Sequence, residues 1–289
     1  MIIDLQNNYK KLMIEKIKKS GLKIPVNYDD ENIIVKYFAF LRKKEFAGPH
    51  EIKRSKNFHC PPKVLKGFSN LENIIRNGGD ITPYFNRAAF DLGRFDDMFS
   101  DWGIMHFHLG DKLIDGEHLV ERDDFVLFAY LHKNVVYFIN IFRHGHWADS
   151  DVIQEMYNNW PSLIDRYGFK GFSSIPIENK HRRVLRESGI NTPVQIKDSD
   201  GNPIISSSGL GITSVRTSIT DSMAFINANN TLGKLQLYLL SQEEQIKSEI
   251  QKNGYEIFEE IQLELIDFNP TRLYIQELKY NWSMEIPLS

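Results

Sequence analysis

Six of the nine histidines in this 289-residue chain fall between His106 and His146. They include two His-x-His pairs, one in DWGIMHFHLG (101–110) and one in RHGHWAD (143–149). Imidazole titrates near pH 6.5, so it can take or give a proton at neutral pH. It is also a nitrogen ligand for metals. Three readings follow. The first is a metal-independent endoribonuclease. Cleaving RNA requires a base for the 2′-hydroxyl, an acid for the leaving 5′-oxygen and a cation for the phosphorane. His106, His108, His144 and His146 would supply the proton transfers, and Arg143 would offer its two-pronged guanidinium to the phosphate. Arg122 and the basic run KHRRVLR (Lys180, Arg182, Arg183, Arg186) would hold the backbone of single-stranded RNA. Trp102 and Trp147 would stack on unpaired bases. No cofactor is needed.

The second reading is a metal site, with the same four histidines and Asp101 or Asp149 as ligands of a hydrolase or oxygenase. No third ligand stands at a diagnostic spacing, and neither H-E-x-x-H nor a cysteine pair occurs. The third is a non-catalytic binding or structural protein, its histidines hydrogen-bonded to Asp97, Asp101 or Asp149. Metal content separates the second reading from the others, and cleavage in EDTA separates the first.

Other motifs carry less. His59 and Cys60 are adjacent on an extended chain and point to opposite sides, so one cannot serve the other as base. SSSGLGITS lacks the strand–turn–helix context and the lysine of a phosphate-binding loop. DSDGN lacks the twelfth-position glutamate of a calcium loop and reads as a turn. The Asp pairs at 29–30, 96–97 and 123–124 read as caps of the elements that follow them.

Positioning the histidines requires strands. IMHFHL alternates, and DDFVLFAYLHKNVVYFINIFRHG reads as a hairpin turning at HKN. In an antiparallel meander the ends of the first and third strands share one edge, about 10 Å apart. Alternate residues share a face, so both histidine pairs would converge there. Upstream, residues 3–19 form an amphipathic helix, a second helix starts near YDDENII, residues 46–68 cross irregularly, and NLENIIRNGG makes a third helix. Residues 149–168 look helical, with Pro161 opening a new turn or kinking the helix. The segment 171–238 reads as short strands and turns, SQEEQIKSEIQKNG as helix, and the tail as strands about Asn269-Pro270. The expected fold is α+β: N-terminal helices (1–100), a central antiparallel sheet and helix carrying the histidines (101–170), and a β-rich C-terminal part (171–289), with a soft boundary at 168–175.

The stretch HFHLG followed by DDFVLFAYLHKNVVYFINIFRHG resembles the core of the RelE/HigB/ParE toxin superfamily, over about residues 101–149. There a strand ending in glycine precedes two hairpin strands packed on N-terminal helices. The resemblance implies a metal-independent ribonuclease, a toxin or antiviral effector, held in check by an inhibitor protein. Arg143 and His144 match the family's basic strand end. His106 and His108 stand where the family carries Arg or Lys, and members are about a third of this length.

Composition is that of a globular protein: 42% hydrophobic and 25% charged residues, with a net charge of −3. Residues 1–60 hold 13 Lys/Arg against 7 Asp/Glu, while 240–289 hold 4 against 10. This asymmetry fits either a basic face for an anionic partner or a solvated helix beside an acidic sheet edge. One cysteine excludes an internal disulfide framework and fits a reducing compartment. No apolar run reaches the ~18 residues of a membrane span, and the N-terminus, with an acid at position 4, does not read as a signal peptide. A cytoplasmic location with no membrane partner is expected.

Overall fold

A computed structural model of the chain describes residues 1–145, 150–165, 168–170, 177–206, 211–257 and 260–288. In chain order its elements are β1 (Ile2–Ile3), α1 (Leu5–Lys19), α2 (Asp30–Lys44), β2 (Glu51–Arg54), α3 (Leu65–Asn77), α4 (Asp97–Trp102), β3 (Ile104–His108), β4 (Phe125–His132), β5 (Val135–Arg143) and α5 (Ser150–Asn159). These are followed by β6 (Gly168–Lys170), α6 (Asn179–Glu187), β7 (Val194–Lys197), β8 (Pro203–Ser206), α7 (Ile219–Ser241), α8 (Glu243–Lys252), β9 (Gln262–Asn269), β10 (Arg272–Glu277) and β11 (Trp282–Pro287). The fold is α+β. Among the described residues, no helix is long and apolar enough to cross a membrane.

The chain divides into two compact units. The first comprises Met1–Leu22, Asn27–Ile34 and Met223–Ser289, and the second Lys23–Val26 and Val35–Ser222. The first unit thus joins both ends of the chain, which a partition in sequence order does not anticipate. Its sheet runs β1-β9-β10-β11, with β1 parallel to β9. The α1 helix, capped by Asp4, buries Leu5, Tyr9, Met13 and Ile17, one face at four-residue spacing. The opposed charge surpluses meet inside this unit: Lys16 pairs with Asp267 at 2.8 Å, and the N-terminal ammonium sits 3.0 Å from Glu243 and 2.9 Å from Glu260.

Residues 171–238 depart from the expected strands and turns twice, because α6 occupies Asn179–Glu187 and α7 begins at Ile219. Phe225, Leu232 and Leu239 are buried there at seven-residue spacing, a helical stripe.

The second unit carries the histidines. Its main sheet has the order β2-β5-β4-β3. The antiparallel meander β3-β4-β5 is the expected one, turning at Lys133-Asn134 with Lys133 at φ 56°. β2, in the segment read as irregular, adds a parallel edge strand against β5. A small sheet, β6-β8-β7, completes the unit. Apolar side chains cover both faces of the meander. Met105, Phe107, Leu127 and Phe138 pack with Phe68, Leu71 and Ile75 of α3. Ile104, Val126, Phe128 and Ile139 pack with Val152, Ile153 and Met156 of α5. β3 is therefore buried along its whole length, and its two histidines replace core residues on the α5 side.

Two details fix the end of this sheet. Gly67 of α3 lies so close to the Leu109 carbonyl that a Cβ would stand 1.9 Å from its oxygen. Only glycine lets the helix seat against the chain just after His108. The ladder between β4 and β5 is irregular at Phe128/Ala129, where Phe128 pairs with Asn140 and Ala129 with Phe138. The extra residue, Ile139, reverses the facing of β5 beyond it, as bulges do. Phe142 then shares the face of Val126 and His108, and His144, two residues on, follows it. Without the bulge His144 would face the α3 side.

Candidate functional site

The end of the meander opens into a cavity of about 300 Å³. His106 and His108 of β3 and His144 beyond β5 all line it. The His106 and His108 ring centroids are 6.3 Å apart, and those of His108 and His144 are 5.9 Å apart and nearly stacked. That is closer than two strand spacings. His144 sits in the turn past the strand, where its backbone N–H donates to Asp124 O at 2.6 Å. The expected convergence therefore holds for three imidazoles. His146, Trp147 and Asp149 lie outside the described residues.

Cations dominate the lining. Lys36, Lys43, Arg94, Arg122, Arg183 and Arg216 face it, against Asp91 and Asp96. Both acids are engaged. Asp96 accepts from Lys43 at 2.7 Å and caps α4 through Phe99 N at 3.3 Å. Burial opposes the charge on Asp96, yet the adjacent Lys43 and the cap hold it ionised below the usual carboxylate range. Asp91 lies 3.1 Å from Lys23 and 4.0 Å from Arg94. Among the described residues Lys36, Arg122 and Arg216 form no ion pair, so the cavity carries uncompensated positive charge.

Each imidazole has its own environment. Asn86 Oδ1 accepts from Ala89 N at 2.7 Å, which makes its Nδ2 the donor to His106 Nε2 at 2.8 Å. Nε2 is therefore the acceptor and Nδ1 carries the proton of a neutral ring, an assignment made from the network. Burial lowers the pKa of His106, with Asp96 pulling the other way. His108 is only 1% exposed, and neither ring nitrogen has a hydrogen-bond partner among the described residues. Burial, and then His106, Arg122 and His144, push its pKa down to about 3. His144 is exposed. Burial and Arg122 lower its pKa while Asp124 opposes them. At neutral pH the cavity thus holds uncharged imidazoles among fixed cations.

A pH dependence of stability follows. The unfolded His108 binds its proton near pH 6.5, the folded one only near 3. In that window the unfolded state holds more protons, so stability is lost as pH falls from 6.5 towards 3, by about 1.4 kcal/mol per pH unit from this ring alone. Urea unfolding at pH 7.0 and 5.5, above and inside the window, should show a loss of about 1 kcal/mol from this ring in the natural chain and a flatter dependence in His108→Leu. Equal slopes would contradict it.

The remaining expected residues divide between site and scaffold. Arg122 and Arg183 line the cavity. Arg143 does not: it alternates with Phe142 and His144, is exposed, and lies 5.8 Å over the Phe125 ring. Trp102 is buried in the core beside Ile104 and Val152 and offers no face to a base. Lys180 is exposed and pairs with Glu178 at 2.8 Å. Arg182 and Arg186 are buried one turn apart on α6. Arg182 donates to Pro193 O at 2.6 Å and to Ile177 O at 3.2 Å, and Arg186 is paired with Asp101. Most of their donors, and the Asp101 carboxylate, are thus engaged in the interior rather than on the cavity. Among the described residues, no group of three or more His, Cys, Asp and Glu is arranged to hold a metal ion.

Sequence reasoning missed Lys36, Lys43, Asn86, Asp96, Arg216 and Ser218 as cavity residues. Asp96 was visible as a cap, and nothing in local spacing marks the others. Comparison with protein-family models, with curated proteins and with solved structures finds no match.

Proposed function

We propose that this cavity cleaves single-stranded RNA without a metal, by transphosphorylation. The carrying observation is the neutral, doubly unbonded His108 ring within 5.9 Å of His144 in a cavity with uncompensated cations. Proton transfer needs contacts of ~3 Å, and the 5.9 Å between the two ring centroids matches the span of one phosphodiester group. His108, uncharged and with its ring nitrogens free of hydrogen bonds among the described residues, takes the proton of the 2′-hydroxyl, its low basicity offset by the phosphodiester anion beside it. The 2′-oxygen attacks phosphorus, the bond from phosphorus to the 5′-oxygen breaks, and that oxygen takes a proton from His144. The phosphodiester anion bound beside His144 raises its proton affinity, so the ring that is neutral in the empty cavity enters the step as imidazolium with a proton to give. The products are a 2′,3′-cyclic phosphate and a 5′-hydroxyl, and the two rings have exchanged protonation states. Arg122 neutralises the phosphorane, the part expected of Arg143. His106, held by Asn86, presents its Nδ1–H as a fixed donor.

The resemblance of residues 101–149 to RelE/HigB/ParE toxins supports the same chemistry. It gives the cellular setting: a cytoplasmic toxin or antiviral effector with an inhibitor protein as partner. The test is cleavage of a single-stranded RNA in EDTA. The natural chain is expected to cut, and a chain carrying both His108→Ala and His144→Ala is expected to fail while keeping a cooperative thermal transition. No cleavage by the natural chain, or cleavage only on adding a divalent metal, would overturn the proposal.

A further inference from the structure

One wall of the cavity is not used by this mechanism. Residues 212–218 form a tight turn bridged between Ile212 and Ser218, closed by Thr213 N to Thr217 O at 2.8 Å and Arg216 N to Thr213 O at 2.9 Å. Arg216 sits in it at φ 59°, a left-handed conformation that costs a long side chain energy unless its surroundings enforce it. Its guanidinium lies 4.9 Å over the Phe95 ring, which fixes its plane. Its Nε is buried without a hydrogen-bond partner among the described residues. Ser218 is 3% exposed, and its Oγ is likewise buried without a partner. Lys36 of α2 faces the same space. Burial and the nearness of Arg216 lower its pKa, with Asp91 working against them.

Two cations close enough to repel, with two idle donors beside them, are poorly arranged for an empty site. Buried polar groups of folded proteins are normally satisfied. A tetrahedral oxyanion supplies what is missing, since it accepts from guanidinium, ammonium and hydroxyl together. The chain also enters the 23-residue α7 directly after Ser218, so the positive end of a helix lies beside the hydroxyl.

We infer that Arg216, Ser218 and Lys36 form a second phosphate subsite, which holds a phosphodiester neighbouring the one that reacts at the histidines. The subsite itself stands on its own residues, and only the identity of its occupant as a neighbouring RNA phosphate rests on the proposed function. A substrate then needs at least two phosphates, so a dinucleotide with a single phosphodiester is a poor one.

The experiment is titration of the full chain with inorganic phosphate at constant ionic strength, followed by calorimetry, for the natural chain, Arg216→Asn, Ser218→Ala and His108→Leu. Asparagine tolerates the left-handed backbone and alanine leaves the turn intact, so both variants should melt as the natural chain does. Arg216→Asn is expected to weaken phosphate binding about 10-fold or more, the size of a lost charge-assisted hydrogen bond. Ser218→Ala is expected to weaken it about 5-fold, and His108→Leu by less than 3-fold, because that ring lies outside the subsite. In the cleavage assay Arg216→Asn should raise KM for a trinucleotide with little change for a dinucleotide. Absence of phosphate binding by the natural chain, or equal binding by Arg216→Asn, overturns the subsite whatever happens to RNA. Phosphate binding that depends on Arg216 in a chain that never cuts RNA keeps the subsite and removes the nuclease.

Discussion

His108→Leu is expected to abolish RNA cleavage, by about 10²- to 10⁴-fold, while leaving the folded state as stable as before or more stable. The two effects have one cause. His108 occupies a core position on β3, 1% exposed, and buries two ring nitrogens with no partner among the described residues. Burying an unsatisfied polar group costs about 1–3 kcal/mol. Leucine fills similar space on the face shared by Val126 and Phe142 and removes that cost. A general base contributes about 10²- to 10⁴-fold to rate. A residue kept for function at the expense of stability should show opposite signs in the two measurements. A chain that is equally destabilised and inactivated would make His108 a structural residue, and the mechanism would lose its base. Circular dichroism melts and a fluorescent RNA assay on one preparation decide between them.

The second large effect concerns the fold rather than the chemistry. Arg186→Met is expected to cost about 3–5 kcal/mol of stability, because it strands the Asp101 carboxylate in the interior. Arg186 and Asp101 are buried against each other, their side chains 3% and 4% exposed. Asp101 is in α4, directly before β3, so the pair ties α6 to the element that launches the histidine strand. Adding Asp101→Leu should restore much of the loss, since an apolar pair of similar volume replaces a buried ion pair at little cost. Denaturant midpoints for the two single variants and the double variant test this. If Arg186→Met melts normally and weakens only RNA binding, Arg186 belongs to the RNA surface expected from its basic run.

Much of the site's framework is legible in the sequence. Alternation in IMHFHL and the HKN turn are enough to place His106, His108 and His144 at one end of a meander, because strand period and hairpin geometry are local properties. The bulge at Ile139 is not legible. Nothing in YFINIF marks the residue that reverses the facing of His144, although without it the histidines would lie on opposite sides of the sheet. Basic residues divide in the same way. KHRRVLR looks like one cationic surface, yet three-dimensional packing buries Arg182 and Arg186 and leaves Arg183 on the cavity. The period of a helix separates those positions, whereas the decision to bury a guanidinium is made by Asp101, far upstream, and by Thr192 and Pro193 just beyond the end of the helix. Lys36 and Arg216 meet only because the chain folds back over some 180 residues, a distance no local pattern spans. Likewise, the joining of β1 to β9 is a property of closure.

The proton-transfer claim is tested most directly by the chemical ends of RNA cut in EDTA, identified by mass spectrometry. Use of a neighbouring 2′-hydroxyl, with imidazoles moving the protons, leaves 2′,3′-cyclic phosphate and 5′-hydroxyl ends, and a 2′-deoxy substitution at the cut position prevents cleavage. Uncut RNA, or ends bearing 3′-hydroxyl and 5′-phosphate, would contradict the mechanism.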